Sequence, residues 1–214
     1  MNSRLTLATF NKALTILTHR DPDLGAVIAK FGKPPIWRRP RGFETLVLLI
    51  LEQQVSLASA RAAYDRLAAT AVELSPEKML MLRDEEYRAA GVSRQKTRYI
   101  RHLSECLLDQ SLRLDRLGRM GDDDVRAQLI QVKGIGAWTA DVYLLMALMR
   151  PDVWPVGDIA LQAAAHGIKG LAARPDPAEL TDIGEAWRPW RSVAARILWH
   201  HYLSTPRVRI TGGK

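Results

Sequence analysis

The chain has 214 residues, 47% of them apolar and 25% charged, a balance that suits a globular protein with a sizeable core. No run approaches the ~20 uninterrupted apolar residues of a membrane span, and the single cysteine, Cys106, excludes an internal disulfide, an all-thiolate zinc site and an iron–sulfur cluster. The net charge of +8 suits a polyanionic partner, because Lys and Arg gain affinity by displacing counterions from phosphates.

The opening "MNSRLTLATFNKALTILTHRD" spaces its apolar residues at helical intervals. It has neither the long apolar core nor the small-residue cleavage site of a signal peptide, so a cytoplasmic protein is expected, nucleoid-associated if bacterial. Helical periodicity continues through "FETLVLLILEQQVSLASARAAYDRLAA" and "TRYIRHLSECLLD". "GDDDVRAQLIQV" opens with an acidic first turn, as a helix N-terminus favours. "WTADVYLLMALM" is apolar nearly all round, which predicts burial on every side. "DIALQAAAHGI" reads as a helix opened by Asp158 and closed near Gly167. "PAELTDIGEAW" and "RPWRSVAARILWHHYL" follow, the second started by Pro189 near its first turn. The last residues, "TPRVRITGGK", read as a basic frayed end. Gly and Pro separate these short elements and no strand pattern competes, so the fold class is all-α, with about a dozen helices. Basic residues gather in "IWRRPRGF", "SRQKTRYIRH" and "RPWRSVAAR". Each alone reads as a solvated helix face, so a DNA surface would have to be assembled by folding.

Two stretches carry chemistry. In "LIQVKGIGAWTADVY" one helix ends near Val132 and the next begins near Gly136. Gly134 and Gly136 permit a sharp turn without a Cβ in the way of an approaching group. The N–H groups opening the second helix are unpaired within it and carry the positive end of its dipole. Lys133 adds a counter-charge. By spacing alone, both a plain helix–turn–helix corner and a phosphate cradle fit. No strand precedes this G-x-G and a third glycine is missing, so it is not the dinucleotide fingerprint. Downstream, in "RPDVWPVGDIALQ", Asp158 falls at a helix start, where a carboxylate serves as N-cap or as an anion held ionised at a cleft edge.

"LIQVKGIGAWTA" resembles the helix–hairpin–helix of the base-excision DNA glycosylases (the HhH-GPD superfamily), and "WPVGDIAL" resembles the segment with their catalytic Asp. "ILEQQVSLASA", "RPDVWPVGD" and "WRPWRSVAARILWHHYL" are similar to the 3-methyladenine DNA glycosylase II branch, in the same order, from about Arg39 to about Leu203. The resemblance implies one unit over 1–214 with a two-lobed helical fold and a DNA cleft between the lobes. The central lobe spans approximately 41–150 with the hairpin at about 122–149, and the second lobe combines 1–40 with 151–214. The founding bacterial member carries a further N-terminal β-rich domain; here about forty residues that read as helix precede the matched region, so the compact form is expected.

The same resemblance implies roles. Lys133, Gly134 and Gly136 would grip a DNA phosphate, and the carbonyls of Ile130, Val132 and Ile135 would hold a monovalent cation, Na+ or K+. No other cofactor is required. Asp158 matches the catalytic carboxylate; an anion there stabilises the positive charge that builds on the sugar as an N-glycosidic bond breaks. Trp138 stands where the bifunctional relatives carry a Schiff-base lysine, so no lyase activity is expected. Trp138, Trp199 and Tyr143 are base-pocket candidates, with core packing the alternative. The branch often has a pocket aromatic one residue before Tyr143, where this chain has Val142. Trp187 and Trp190 are assigned to packing of the last helix. Gln54 falls at the position that fills the gap left by a flipped base, with Gln53 just before it, and a helix-end turn is the alternative. Glu52 replaces a frequent glycine.

The function this implies is that of a monomeric, monofunctional enzyme excising alkylated purines, 3-methyladenine and 7-methylguanine, from double-stranded DNA without contact with a membrane. The alternatives are a preference for hypoxanthine or ethenoadenine on the same fold, and a non-catalytic DNA-binding module. Asp158 argues against the last, because an anion aimed at a phosphate backbone gains a pure binder nothing.

Overall fold

The computed structural model describes residues 4–205; residues 206–214 of the basic C-terminal stretch lie outside the described residues. Among the described residues there are thirteen helices and no strand, as the periodicity predicts. In chain order they are α1 (Leu7–Arg20), α2 (Pro22–Phe31), α3 (Phe43–Glu52), α4 (Leu57–Ala71), α5 (Pro76–Met81), α6 (Asp84–Ala89) and α7 (Arg94–Leu108). They continue with α8 (Leu114–Leu117), α9 (Asp122–Ile130), α10 (Ala137–Met146), α11 (Ile159–Lys169), α12 (Pro177–Glu185) and α13 (Arg191–Ser204). Among the described residues no helix is long and apolar enough to cross a membrane.

The chain divides into two compact units. Among the described residues the first comprises Arg4 and Arg38–Arg150, the second Leu5–Trp37 and residues 151–205.

In the first unit, α3 is buried along Leu46, Val47, Leu49, Ile50 and Leu51 and packs on α4, α7 and α10. Each such side chain contributes about 1.5–3 kcal/mol by leaving water. The apolar run of α10 is buried from Thr139 to Leu145, as its all-round hydrophobicity predicts. It contains one charged exception, Asp141, 8% exposed, whose carboxylate accepts from Arg126 Nε on α9 at 2.6 Å. Arg126 also donates to Asp123 at 2.7 Å, so one guanidinium fixes how α9 leans on α10. Burial alone would weaken the charge on Arg126; the bond and charge of Asp141 overcome this and hold its pKa above the ordinary value.

The long periodic stretch after Phe43 is two helices rather than one. It breaks at Gln53–Gln54, where Gln54 adopts φ +58°, and Ser56 restarts the chain by capping Ser59 N–H at 3.1 Å.

In the second unit, α13 packs on α1, α2 and α11 and is buried from Ser192 to Trp199. Asp21 caps α2 and binds three elements together: it accepts from Lys169 Nζ at 2.7 Å and from the buried Trp187 Nε1 at 2.7 Å. Burial pushes the Asp21 carboxyl up, yet the bonds from Lys169 and Trp187 outweigh it and leave the pKa below the usual value. Two expected boundaries move. α11 runs through Gly167 and stops at Gly170, which takes the left-handed φ of +59° that suits glycine at a C-cap. α13 begins at Arg191 with Trp190 at its N-cap, so Pro189, after a cis peptide bond, precedes the helix.

Candidate functional site

The hairpin sits between α9 and α10, and Gly136 is the N-cap of α10. No side chain caps this helix and no carboxylate stands in its first turn, in contrast to the three aspartates that open α9. The amides at the start of α10 therefore present the dipole's positive end without an internal anion. Gly136 is exposed and a Cβ there would meet nothing within 4 Å, so its surroundings are open to a ligand.

Gly134 has a different reason to be glycine. Its φ is +91°, and a Cβ would collide with the Tyr99 ring. The space freed by the missing side chain is filled by the Tyr99 ring, which gives this glycine a packing reason of its own. Its carbonyl accepts from Gln53 Nε2 at 2.8 Å. Lys133 is exposed, but its backbone N–H donates to His102 Nδ1 at 3.0 Å, so only its side chain is left to meet an anion. Val132 O accepts Ile135 N–H at 2.9 Å and keeps a second lone pair; Ile130 and Ile135 place their carbonyls in or next to the same turn. This donor set suits a hard monovalent cation.

The two glutamines separate. Gln53 directs its carboxamide inward, to Gly134 O and to Thr139 Oγ1 at 3.1 Å, so it braces the hairpin and has no amide left for DNA. Gln54 is exposed in its left-handed turn, next to the exposed Val55 and Leu57. Glu52, in place of the frequent glycine, has a structural account. It forms a bidentate pair with Arg39 at 2.8 and 2.9 Å, largely out of solvent, and ties α3 to the segment before it.

Tyr143 does not line a pocket. It is fully buried and its hydroxyl accepts from Gly42 N–H at 3.1 Å, which makes it a core residue of the first unit. Trp138 is half-exposed in the first turn of α10.

In the second unit Asp158 is the N-cap of α11. Its Oδ1 accepts from Leu161 N–H at 2.9 Å and from Trp199 Nε1 at 3.2 Å. Asp158 and Trp199 are each 8% exposed, while the next residue, Ile159, is 64% exposed. Trp199 thus presents its N–H edge to Asp158, which gives its burial a polar purpose. The segment leading to Asp158 is anchored residue by residue. Asp152 is clamped by Arg191 at 2.9 and 3.0 Å and by Arg188 at 3.1 Å. Val153 exchanges bonds with Ser192 Oγ, and Trp154 Nε1 donates to Leu180 O at 2.8 Å. Arg196 is fully buried, donates to Ile36 O and Ser192 O, and burial pushes its pKa down to about 9.

Each basic cluster is thus divided: Arg39, Lys96, Arg191 and Arg196 bond within the fold, while Arg38, Arg41, Arg94 and Arg98 are exposed. In "SRQKTRYIRH" the residues Lys96, Tyr99 and His102, spaced by three on α7, face the end of α3 and the hairpin turn. Sequence reading missed all three as site residues, although the i, i+3 spacing places them on one helix face.

A family model for HhH-GPD superfamily base excision DNA repair proteins matches residues 47–189, which span the turn at Gln54, the hairpin and Asp158. The chain belongs to this superfamily. It is 33% identical to the DNA-3-methyladenine glycosidase of Bacillus halodurans, whose crystal structure superposes with a TM-score of 0.74 over 90% of this chain and 89% of that one. The Schizosaccharomyces pombe 3-methyladenine DNA glycosylase, solved with abasic DNA, shares the fold at a TM-score of 0.79 and 24% identity, over 88% and 95% of the two chains. In Mycobacterium tuberculosis a probable bifunctional transcriptional activator/DNA repair enzyme AlkA is 37% identical over 84% of this chain. The chain spans only 37% of that relative and 64% of the putative DNA-3-methyladenine glycosylase of Bacillus subtilis, to which it is 27% identical.

Proposed function

We propose that this HhH-GPD protein is a monofunctional DNA glycosylase that hydrolyses the N-glycosidic bond of alkylated purines, 3-methyladenine above all, in double-stranded DNA. The observation that carries the reading is Asp158, a carboxylate oriented by Leu161 N–H and Trp199 Nε1–H beside an exposed edge. The relatives named for 3-methyladenine support the substrate class.

The chemistry follows from the charge. As the bond from the sugar to the base nitrogen breaks, its electron pair leaves with the base, which becomes neutral when it began as an alkylated cation. Positive charge grows on the sugar, and the Asp158 carboxylate stabilises it. Water adds its oxygen to the sugar carbon, and its proton passes to Asp158 or to solvent. A single carboxylate suffices because the leaving group is already activated. Trp138 offers an aromatic face to an electron-poor base and, lacking an amine, forms no imine with the sugar, so strand cleavage is not part of the reaction. The start of α10 and the Lys133 side chain hold a phosphate, Gln54 fills the space left by the extruded base, and the Ile130, Val132 and Ile135 carbonyls would hold a monovalent cation. The protein acts as a monomer on DNA.

The test is base release from methylated duplex DNA by the full chain and by Asp158→Asn, with strand nicking followed in parallel. Release by the wild type, lost in Asp158→Asn without loss of DNA binding, is expected. Binding without release by either protein would make it a DNA-binding module, and nicking without alkali would restore a lyase.

A further inference from the structure

The turn from Gln53 to Ser56 is held from two sides by side chains directed at backbone. From α7, Lys96 sends its ammonium to the carbonyls of Leu51 and Gln53 at 2.7 and 2.8 Å, taking acceptors that the last turn of α3 leaves open. A cation there also complements the negative end of the α3 dipole. Burial lowers the pKa of Lys96, a sign of how far this ammonium has withdrawn from water. On the other side, the Gln53 carboxamide reaches the hairpin at Gly134 O and Thr139 Oγ1. Tyr99, three residues beyond Lys96 on the same helix, packs on Gly134. Directly after these two anchors Gln54 takes φ +58° and stands exposed. A glutamine placed there without support would relax to negative φ, because the left-handed region crowds its Cβ.

We propose that Lys96 and Gln53 are positioning residues for base extrusion: Lys96 locks Gln54 in its left-handed conformation, and Gln53 ties that turn to the phosphate-gripping hairpin. Gln54 then enters the duplex in fixed register with the phosphate already held. The inference rests on the glycosylase reading above and concerns how its extrusion step is built.

The test uses the full chain and a duplex with the fluorescent base 2-aminopurine placed beside a 3-methyladenine analogue that resists cleavage, so that fluorescence reports unstacking; base release from methylated DNA is read in parallel. In Lys96→Met both signals fall by roughly 5- to 30-fold, the population factor of a left-handed residue set free. Affinity for undamaged duplex, which runs through the hairpin, changes by less than about twofold. Lys96→Arg recovers most of the signal, since a guanidinium can reach both carbonyls. Gln54→Asn in the Lys96→Met background also recovers it, because asparagine keeps the carboxamide and tolerates positive φ. Gln53→Met lowers extrusion too, but Gln54→Asn does not rescue it, since the tie to the hairpin is lost rather than the turn; this variant carries the test should Lys96→Met fail to fold. Wild-type extrusion and release in Lys96→Met, or no rescue by Gln54→Asn in a folded double variant, would overturn the clamp, and rescue of Gln53→Met would overturn the tie. A wild type that neither unstacks the duplex nor releases bases sinks the glycosylase reading and this inference together; one that does both leaves only the positioning roles at stake.

Discussion

The hairpin region of the first unit and the Asp158 region of the second solve opposite problems. Around the hairpin the groups assigned to DNA by the proposed function are backbone: the amides opening α10 and the turn at Gln54. They are held by side chains, Lys96 on Leu51 O and Gln53 O, Gln53 on Gly134 O, and His102 on Lys133 N–H. Around Asp158 the group the proposed reaction uses is a side chain, and its anchors are the Leu161 amide and the Trp199 indole. A region whose function is backbone shape is vulnerable to anything that alters backbone or space. A region whose function is one carboxylate is vulnerable to the loss of that charge and tolerates isosteric change.

The sharpest break in this contrast comes from Asp158→Asn. Base release should fall about 10²–10³-fold, as for loss of one preorganised electrostatic group, while the melting temperature holds because asparagine caps a helix equally well. Gly134→Ala should do the reverse. The new Cβ collides with Tyr99 and sits at positive φ, so a loss of about 2–4 kcal/mol in denaturant unfolding is expected, with DNA affinity falling alongside. If Gly134→Ala were as stable as the parent, the packing of Tyr99 on Gly134 would not hold the hairpin. Trp199→Phe removes one hydrogen bond to Asp158, worth about 1.5 kcal/mol for a charged acceptor, so kcat for base release should drop roughly tenfold with KM little changed.

A smaller effect sharpens the grip. Lys133→Ala should weaken binding to every duplex alike and reduce the slope of log affinity against log salt by about 1. The smallest extends the contrast to pH. Asp21 has a folded pKa below its ordinary 3.8, so its stabilising bonds are complete above that value and are lost as pH falls through the lower folded pKa. Lys169→Met should flatten this acid dependence in a melting series below pH 4, because it leaves the largely buried Asp21 without its cation.

Much of this was legible in sequence because it is local. The G-x-G corner, the capping position of Asp158 and the apolar run of α10 are decided by neighbours a few residues apart. Other features were hidden because they depend on partners far along the chain. Glu52 is explained by Arg39, thirteen residues away, and Asp141 by Arg126, fifteen away. Gln53 and Gln54 are adjacent and chemically identical, yet one braces the hairpin from inside and the other stands exposed. Periodicity ran straight through them, since nothing in their own residue types signals the break. Tyr143 was placed one residue from a pocket position by likeness, and its environment made it a core residue instead.

What the sequence by itself determined is the all-helical class, the superfamily, and where the chain holds an uncapped helix start and a capping carboxylate, because these follow from period, glycine placement and helix-end chemistry. What only the tertiary structure decided is which groups are already engaged. Of the many arginines, lysines and glutamines that a basic chain offers to DNA, the fold turns Lys96, Gln53, Arg39, Arg191 and Arg196 inward. Burying a polar group without a partner costs free energy, so the fold binds each of them to a carbonyl or a carboxylate, and that pairing is set by three-dimensional proximity.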